Sequence, residues 1–112
     1  MVNSNYIPER GDLVWLEFDP QTGHEQRGRR PALIISHTEY NEKVGLALCC
    51  PITSKTKGYP FEVQVSGTRI NGSVLSDQIK SLDWKARKAE YIEKMDEMEF
   101  DQVIERVKLL IE

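Results

Sequence analysis

The sequence predicts a mainly β domain, a small partly open barrel closed by one C-terminal α-helix. Three observations predict it. Short apolar runs recur between turn signals. Phe61, Val63 and Val65 alternate strictly with Glu62, Gln64 and Ser66, the period of a half-buried strand. From Phe100 onward the period becomes helical, through Val103, Ile104, Val107, Leu110 and Ile111. Strands separated by tight turns favour a small barrel over an open layer.

The first strand spans 11–18, where apolar residues fill nearly every place, as in a strand covered on both faces. Asp19-Pro20 and Gly23 mark a connection over 19–30. Pro31 opens the second strand, which runs to Ser36, because a missing N–H matters least at a strand's first position. His37 to Lys43 is polar, with room for one helical turn. Val44 to Thr53 is the third strand, and Ser54 to Pro60 a loop. After the strand at 61–66, Asn71-Gly72 signals a tight turn. The segment 73–80 reads as a strand with Ser76, Gln78 and Lys80 on one face and Leu75, Asp77 and Ile79 on the other, which gives Asp77 a structural role. Lys85, Arg87 and Lys88 read as a solvated strand face. Asp96 followed by Glu99 predicts a helix N-cap with its reciprocal partner three residues on.

A chain of 112 residues is one domain's worth, and 39% hydrophobic with 29% charged residues is ordinary globular composition. No apolar run reaches the ~18–20 residues that cross a bilayer, and the start lacks the basic-then-apolar pattern of a signal peptide. The expected location is therefore the cytoplasm, with no membrane partner. Cys49 and Cys50 are adjacent inside an apolar stretch, which predicts core side chains rather than a disulfide or a zinc site. The net charge of -3 is unevenly distributed. Residues 1–89 hold 12 basic and 10 acidic side chains, and residues 90–112 hold 3 and 8. The acidity belongs to the C-terminal segment, so a local basic surface remains open to nucleic acid.

His24 and His37 stand 13 residues apart without ligand-spaced partners, so no metal motif forms. Neither a phosphate-cradling glycine loop nor a nucleophile elbow is present, and no cofactor is expected. What remains is a set of basic and hydroxyl side chains in two connections. Arg27, Arg29 and Arg30 close the first; Thr53, Ser54, Lys55, Thr56 and Lys57 fill the second. Each connection joins a strand that anchors it, and guanidinium, ammonium and hydroxyl groups all donate to phosphate oxygens.

The strings Tyr6-Ile7-Pro8, Gly11-Asp12-Leu13-Val14-Trp15, Phe18-Asp19-Pro20 and Gly23-His24-Glu25-Gln26 resemble the MazF/PemK family of mRNA-interferase toxins, closest to its MazF branch. The likeness continues through Arg30-Pro31-Ala32-Leu33, Pro51-Ile52-Thr53-Ser54, residues 57–63 and residues 77–84, in the family's order. It implies an SH3-like barrel of the MazF/PemK/CcdB type. It also implies a dimeric, metal-independent endoribonuclease that cuts single-stranded RNA, with an antitoxin whose acidic flexible C-terminal tail competes for the same groove. Carried over by position, Arg30 and Thr53 are the catalytic pair. Glu25 is the first candidate for general base, with His24 and Arg30 itself as alternatives. Arg27, Arg29, Ser54, Lys57, Gln78 and Lys80 are the expected RNA contacts; Arg29 stands where related sequences carry a histidine. Two rival readings are a gyrase-binding toxin of the CcdB kind, which shares the fold, and an RNA-binding barrel without cleavage.

Overall fold

The computed structural model describes residues 5–17, 29–67 and 69–112. Among these, the strands are β1 (Asp12–Glu17), β2 (Arg29–Ile34), β3 (Ala47–Thr53), β4 (Glu62–Val65), β5 (Gly72–Leu75), β6 (Lys80–Leu82) and β7 (Glu90–Lys94). Helix α1 spans Thr38–Val44 and helix α2 Glu97–Ile111. The sheet runs β4-β5-β3-β2-β1-β7, with β6 also on β3, and every pairing is antiparallel.

Both sheet faces are covered, which is why β1 and β3 are nearly continuous apolar runs. On one face Leu13, Leu33, Cys50, Ile52, Val63 and Val74 pack against Phe100, Val103 and Val107 of α2. On the other, Val14, Leu16, Ala32, Ile34 and Cys49 pack with Trp84 and Ala89, flanked by Tyr6 and Ile7. Each fully buried aliphatic side chain stabilises the fold by roughly 1.5–3 kcal/mol relative to exposure. Cys49 and Cys50 are both buried and face opposite sides, as expected of core side chains.

Several sequence expectations are corrected. Pro31 is the third residue of β2, not its first. The β2–β3 rungs run from Ala32–Pro51 to Ile34–Cys49 and stop before Pro31, which has no N–H to extend them. His37 caps a two-turn helix that takes in Val44 and ends at Gly45, whose φ of 80° suits glycine. The β4–β5 hairpin closes on the Val65–Gly72 rung, so its connection is six residues long rather than a two-residue turn. Gly72 is needed for approach: a Cβ there would stand 2.4 Å from the Thr53 carbonyl oxygen.

The strand expected over 73–80 is broken. β5 pairs Ile52 with Val74, β6 pairs Cys49 with Lys80, and the register along β3 moves by three residues between them. A 3-10 turn at Ser76–Gln78 takes up those residues. Lys85, Arg87 and Lys88 lie in a turn, not on a strand face, and β7 beyond them went unanticipated because Glu90-Tyr91-Ile92-Glu93-Lys94 has a single buried apolar residue. In α2 the Asp96 carboxylate accepts from the Glu99 N–H at 3.1 Å, as a cap should. The reciprocal half is absent, since Glu99 instead accepts from the Ser66 N–H at 3.0 Å and from the Ser66 hydroxyl. Leu110 and Ile111 keep the helical period but are exposed.

Candidate functional site

The β2–β3 ladder ends at the Ala32–Pro51 rung, beyond which Pro31 offers it no N–H donor. The strand ends open into a recess of about 280 Å³ lined by Arg30, Pro31, Pro51, Ile52, Thr53, Leu75, Gln78 and Lys80. Carrying the Ala32–Pro51 register two residues further sets Arg30 opposite Thr53. Four of the residues singled out in the sequence thus meet: Arg30, Thr53, Gln78 and Lys80. They come from β2, β3, the 3-10 turn and β6, so only the sheet's register unites them.

A second recess of about 480 Å³ adjoins the first through Thr53, Leu75 and Gln78. It adds Lys55, Lys57, Tyr59, Glu62 and Asp77. The Glu62 carboxylate organises its loop by accepting from the N–H groups of Lys57, Gly58 and Tyr59 at 3.0–3.2 Å. Gly58 takes φ 77°, the left-handed turn that aims those N–H groups inward. Thr56 and Ser73 hydroxyls, 2.9 Å apart, pin the loop to β5. The Tyr59 hydroxyl donates to Asp77 at 2.6 Å, and its ring lies 5.9 Å from that of Phe61. The bond to Asp77, with some burial, raises the Tyr59 phenol above its ordinary value and keeps it protonated.

The Thr53 hydroxyl accepts from the Lys55 N–H at 3.1 Å. With one lone pair so occupied, its own O–H is left to donate into the recess. The Glu62 carboxylate accepts from three loop N–H groups and one Asp77 oxygen from Tyr59, and Arg30, Lys55, Lys57 and Lys80 line the same continuous groove. The groove is therefore a cationic, donor-rich channel suited to a phosphodiester backbone.

The other expected residues fall elsewhere. Ser54 is exposed beside Thr53 at the end of β3. Arg29 points away from the groove and is bound to Glu17, Glu90 and two backbone carbonyls. Glu25, His24 and Arg27 lie outside the described residues. The sequence reading missed Tyr59 and Glu62, and the 3-10 turn brings Asp77 and Gln78, expected on opposite faces, onto the same groove. The adjacency of Lys57-Gly58-Tyr59 to the hydroxyl cluster was the available signal for Tyr59.

Residues 9–111 match the family model of the PemK-like, MazF-like toxin of type II toxin–antitoxin systems. The chain belongs to this family. It is 52% identical over 86 residues to the endoribonuclease toxin MazF of Escherichia coli K12, covering 77% of this chain and 78% of that protein. Endoribonuclease PemK of Escherichia coli is 32% identical over 108 residues, 92% of this chain and 81% of the relative. A crystal structure of MazE–MazF from Deinococcus radiodurans superposes with a TM-score of 0.89 at 45% identity, covering 96% of this chain and 97% of the other. Relatives named as endoribonucleases favour the nuclease reading over the gyrase-binding one.

Proposed function

We propose that residues 1–112 act as one toxin domain, and that this endoribonuclease cleaves single-stranded RNA without a metal ion. The observation that carries the proposal is the meeting of Arg30 and Thr53 at the mouth of a cationic groove. In the reaction the 2′-oxygen of the substrate attacks the adjacent phosphorus and the bond from phosphorus to the 5′-oxygen breaks. A proton leaves the 2′-hydroxyl and one reaches the departing 5′-oxygen, leaving a 2′,3′-cyclic phosphate and a 5′-hydroxyl. The Arg30 guanidinium holds two phosphate oxygens and stabilises the charge that develops on them. The Thr53 hydroxyl donates to a phosphate oxygen and sets the angle of attack.

Lys57 and Lys80 flank that point and hold neighbouring phosphates, while Gln78 and Ser54 address base edges or the 2′-hydroxyl. Tyr59 offers a ring for an unpaired base to stack on. Glu25, His24 and Arg30 remain the three candidates for moving the proton. Two copies joined as a homodimer lengthen the groove, and the acidic tail of a cognate antitoxin occupies it by charge complementarity. MazE–MazF complexes of Deinococcus radiodurans support an antitoxin partner. No helix among the described residues is long and apolar enough to cross a membrane, which fits the proposed cytoplasmic site of action.

The test is incubation of pure protein with a long unstructured RNA in excess chelator. Cyclic-phosphate ends at short recurring sequences are expected. RNA left intact refutes the reading.

A further inference from the structure

Arg29 and Arg30 are neighbours in sequence and opposites in the fold. Arg30 lies on the side of β2 that faces Thr53, whereas Arg29 projects to the other side and is only 28% exposed. Its Nη2 donates to the Lys88 carbonyl at 2.7 Å and, more weakly, to the Trp15 carbonyl at 3.4 Å. The same nitrogen stands 3.2 Å from the Glu90 carboxylate, and Nη1 is 3.8 Å from that of Glu17. The partners come from β1, β7 and the turn between β6 and β7, so one guanidinium ties β2 to its whole flank.

The surroundings are built to hold it. Lys88 is the only described non-glycine residue with positive φ, at 56°, a conformation side chains other than glycine rarely adopt. Its carbonyl accepts the shortest of the Arg29 bonds. Arg87 completes the row: its N–H groups and carbonyl bind the backbone of Glu17, with Nη1 to the Glu17 carbonyl at 3.2 Å and the Glu17 N–H to the Arg87 carbonyl at 2.9 Å. Lys88 Nζ lies 3.9 Å from the Glu17 carboxylate.

The backbone at this end of β2 has less to hold it. Pro31 has no N–H, and the pairing with β3 begins only at Ala32. Arg30 therefore sits on the opening residues of β2, supported from β1 through Leu16 and Glu17. We infer that Arg29 is a positioning residue: its clamp to Glu17, Glu90 and the Lys88 carbonyl fixes the start of β2 and thereby aims Arg30 at the scissile phosphate. This replaces the sequence expectation that Arg29 contacts RNA, because both of its Nη nitrogens are turned to protein acceptors away from the groove. The inference rests on the RNA-cleaving reading for its catalytic consequence.

Arg29→Gln, Glu90→Gln and the double variant separate the alternatives. Positioning lowers kcat at least tenfold in Arg29→Gln with KM within about threefold. Glu90→Gln lowers kcat in the same direction, although removing an acidic charge should if anything favour RNA, and the double variant is no worse than Arg29→Gln. A phosphate contact would instead raise KM, reduce the salt slope of RNA binding by about one, and leave Glu90→Gln unaffected. That pattern, or wild-type kcat in both single variants, overturns the inference. Amide hydrogen exchange supplies a readout without catalysis: faster exchange at Arg30 and Leu16 is expected in Arg29→Gln, and unchanged exchange overturns the clamp. If the wild-type protein leaves RNA intact, the cleavage reading fails, and the exchange result still decides the clamp.

Discussion

Thr53→Val is the sharpest test of the proposed mechanism. Valine keeps the β-branch and nearly the volume of threonine, so the end of β3 should retain its shape and lose one hydroxyl. In the fold that hydroxyl accepts a single bond, from the Lys55 N–H at 3.1 Å, in an exposed turn where water can replace it. The stability cost should stay within about 0.5 kcal/mol, as for most surface substitutions. The catalytic cost should be larger. A hydrogen bond to a charged group contributes ~1.5–3 kcal/mol. If that bond forms to the phosphate as negative charge develops, the loss corresponds to a roughly 10- to 150-fold lower rate. The assay is single-turnover cleavage of a short fluorescent RNA in chelator at saturating protein, with thermal melting as a control. Thr53→Ser, which keeps the donor, should recover most of the rate. Cleavage by Thr53→Val within twofold of wild type, with an unchanged melting temperature, would refute the role assigned to the hydroxyl.

Arg30→Ala should abolish cutting and leave the circular dichroism spectrum intact; a wild-type rate would remove Arg30 from the mechanism. Tyr59→Ala should weaken RNA binding about 5- to 150-fold through lost stacking, measured by fluorescence anisotropy, whereas Tyr59→Phe should keep most of the affinity. Equal losses in both would mean that the hydroxyl, not the ring, matters. Asp96→Ala should cost ~1 kcal/mol through the lost cap, and Glu99→Ala a separate amount through Ser66, so the two should add in a double-variant melt. Strong coupling would restore the reciprocal cap that the structure lacks. Burial pushes the Cys49 and Cys50 thiols from 9.0 up to about 12. The folded state therefore holds protons that the unfolded chain releases between those values. The associated stability is complete below pH 9 and is lost as pH rises toward 12. Urea melts from pH 8 to 11 should show that decline, and iodoacetamide should label neither thiol in the native protein at pH 8.

Local patterns carry far in this chain and then stop. Strict alternation at 61–66 and the helical period from Phe100 express what each segment buries, so strand β4 and helix α2 were legible without tertiary context. The apolar run of β1 likewise announced a strand covered on both faces. Segment 73–80 was misread because its alternation continues in sequence while its partner register on β3 jumps by three residues. Nothing local encodes that jump, and it is what brings Asp77 to Tyr59 and Gln78 to Thr53. β7 was missed for a related reason: its support comes from pairing with β1 rather than from its own apolar content.

The sequence by itself determined the chemistry available: a cluster of arginines before one strand, hydroxyls and lysines after another, and no metal motif. Its strings also marked the family, which the match over residues 9–111 bears out. Only the tertiary structure decided which of those groups act together. Arg29 and Arg30 look equivalent in the chain, but strand alternation sends them to opposite sides, one into a clamp and one into the groove. The physical reason is that composition and period depend on near neighbours, whereas the site depends on where ladders end. Here the β2–β3 ladder ends before Pro31, and the opening beside it is lined by residues from five separate elements.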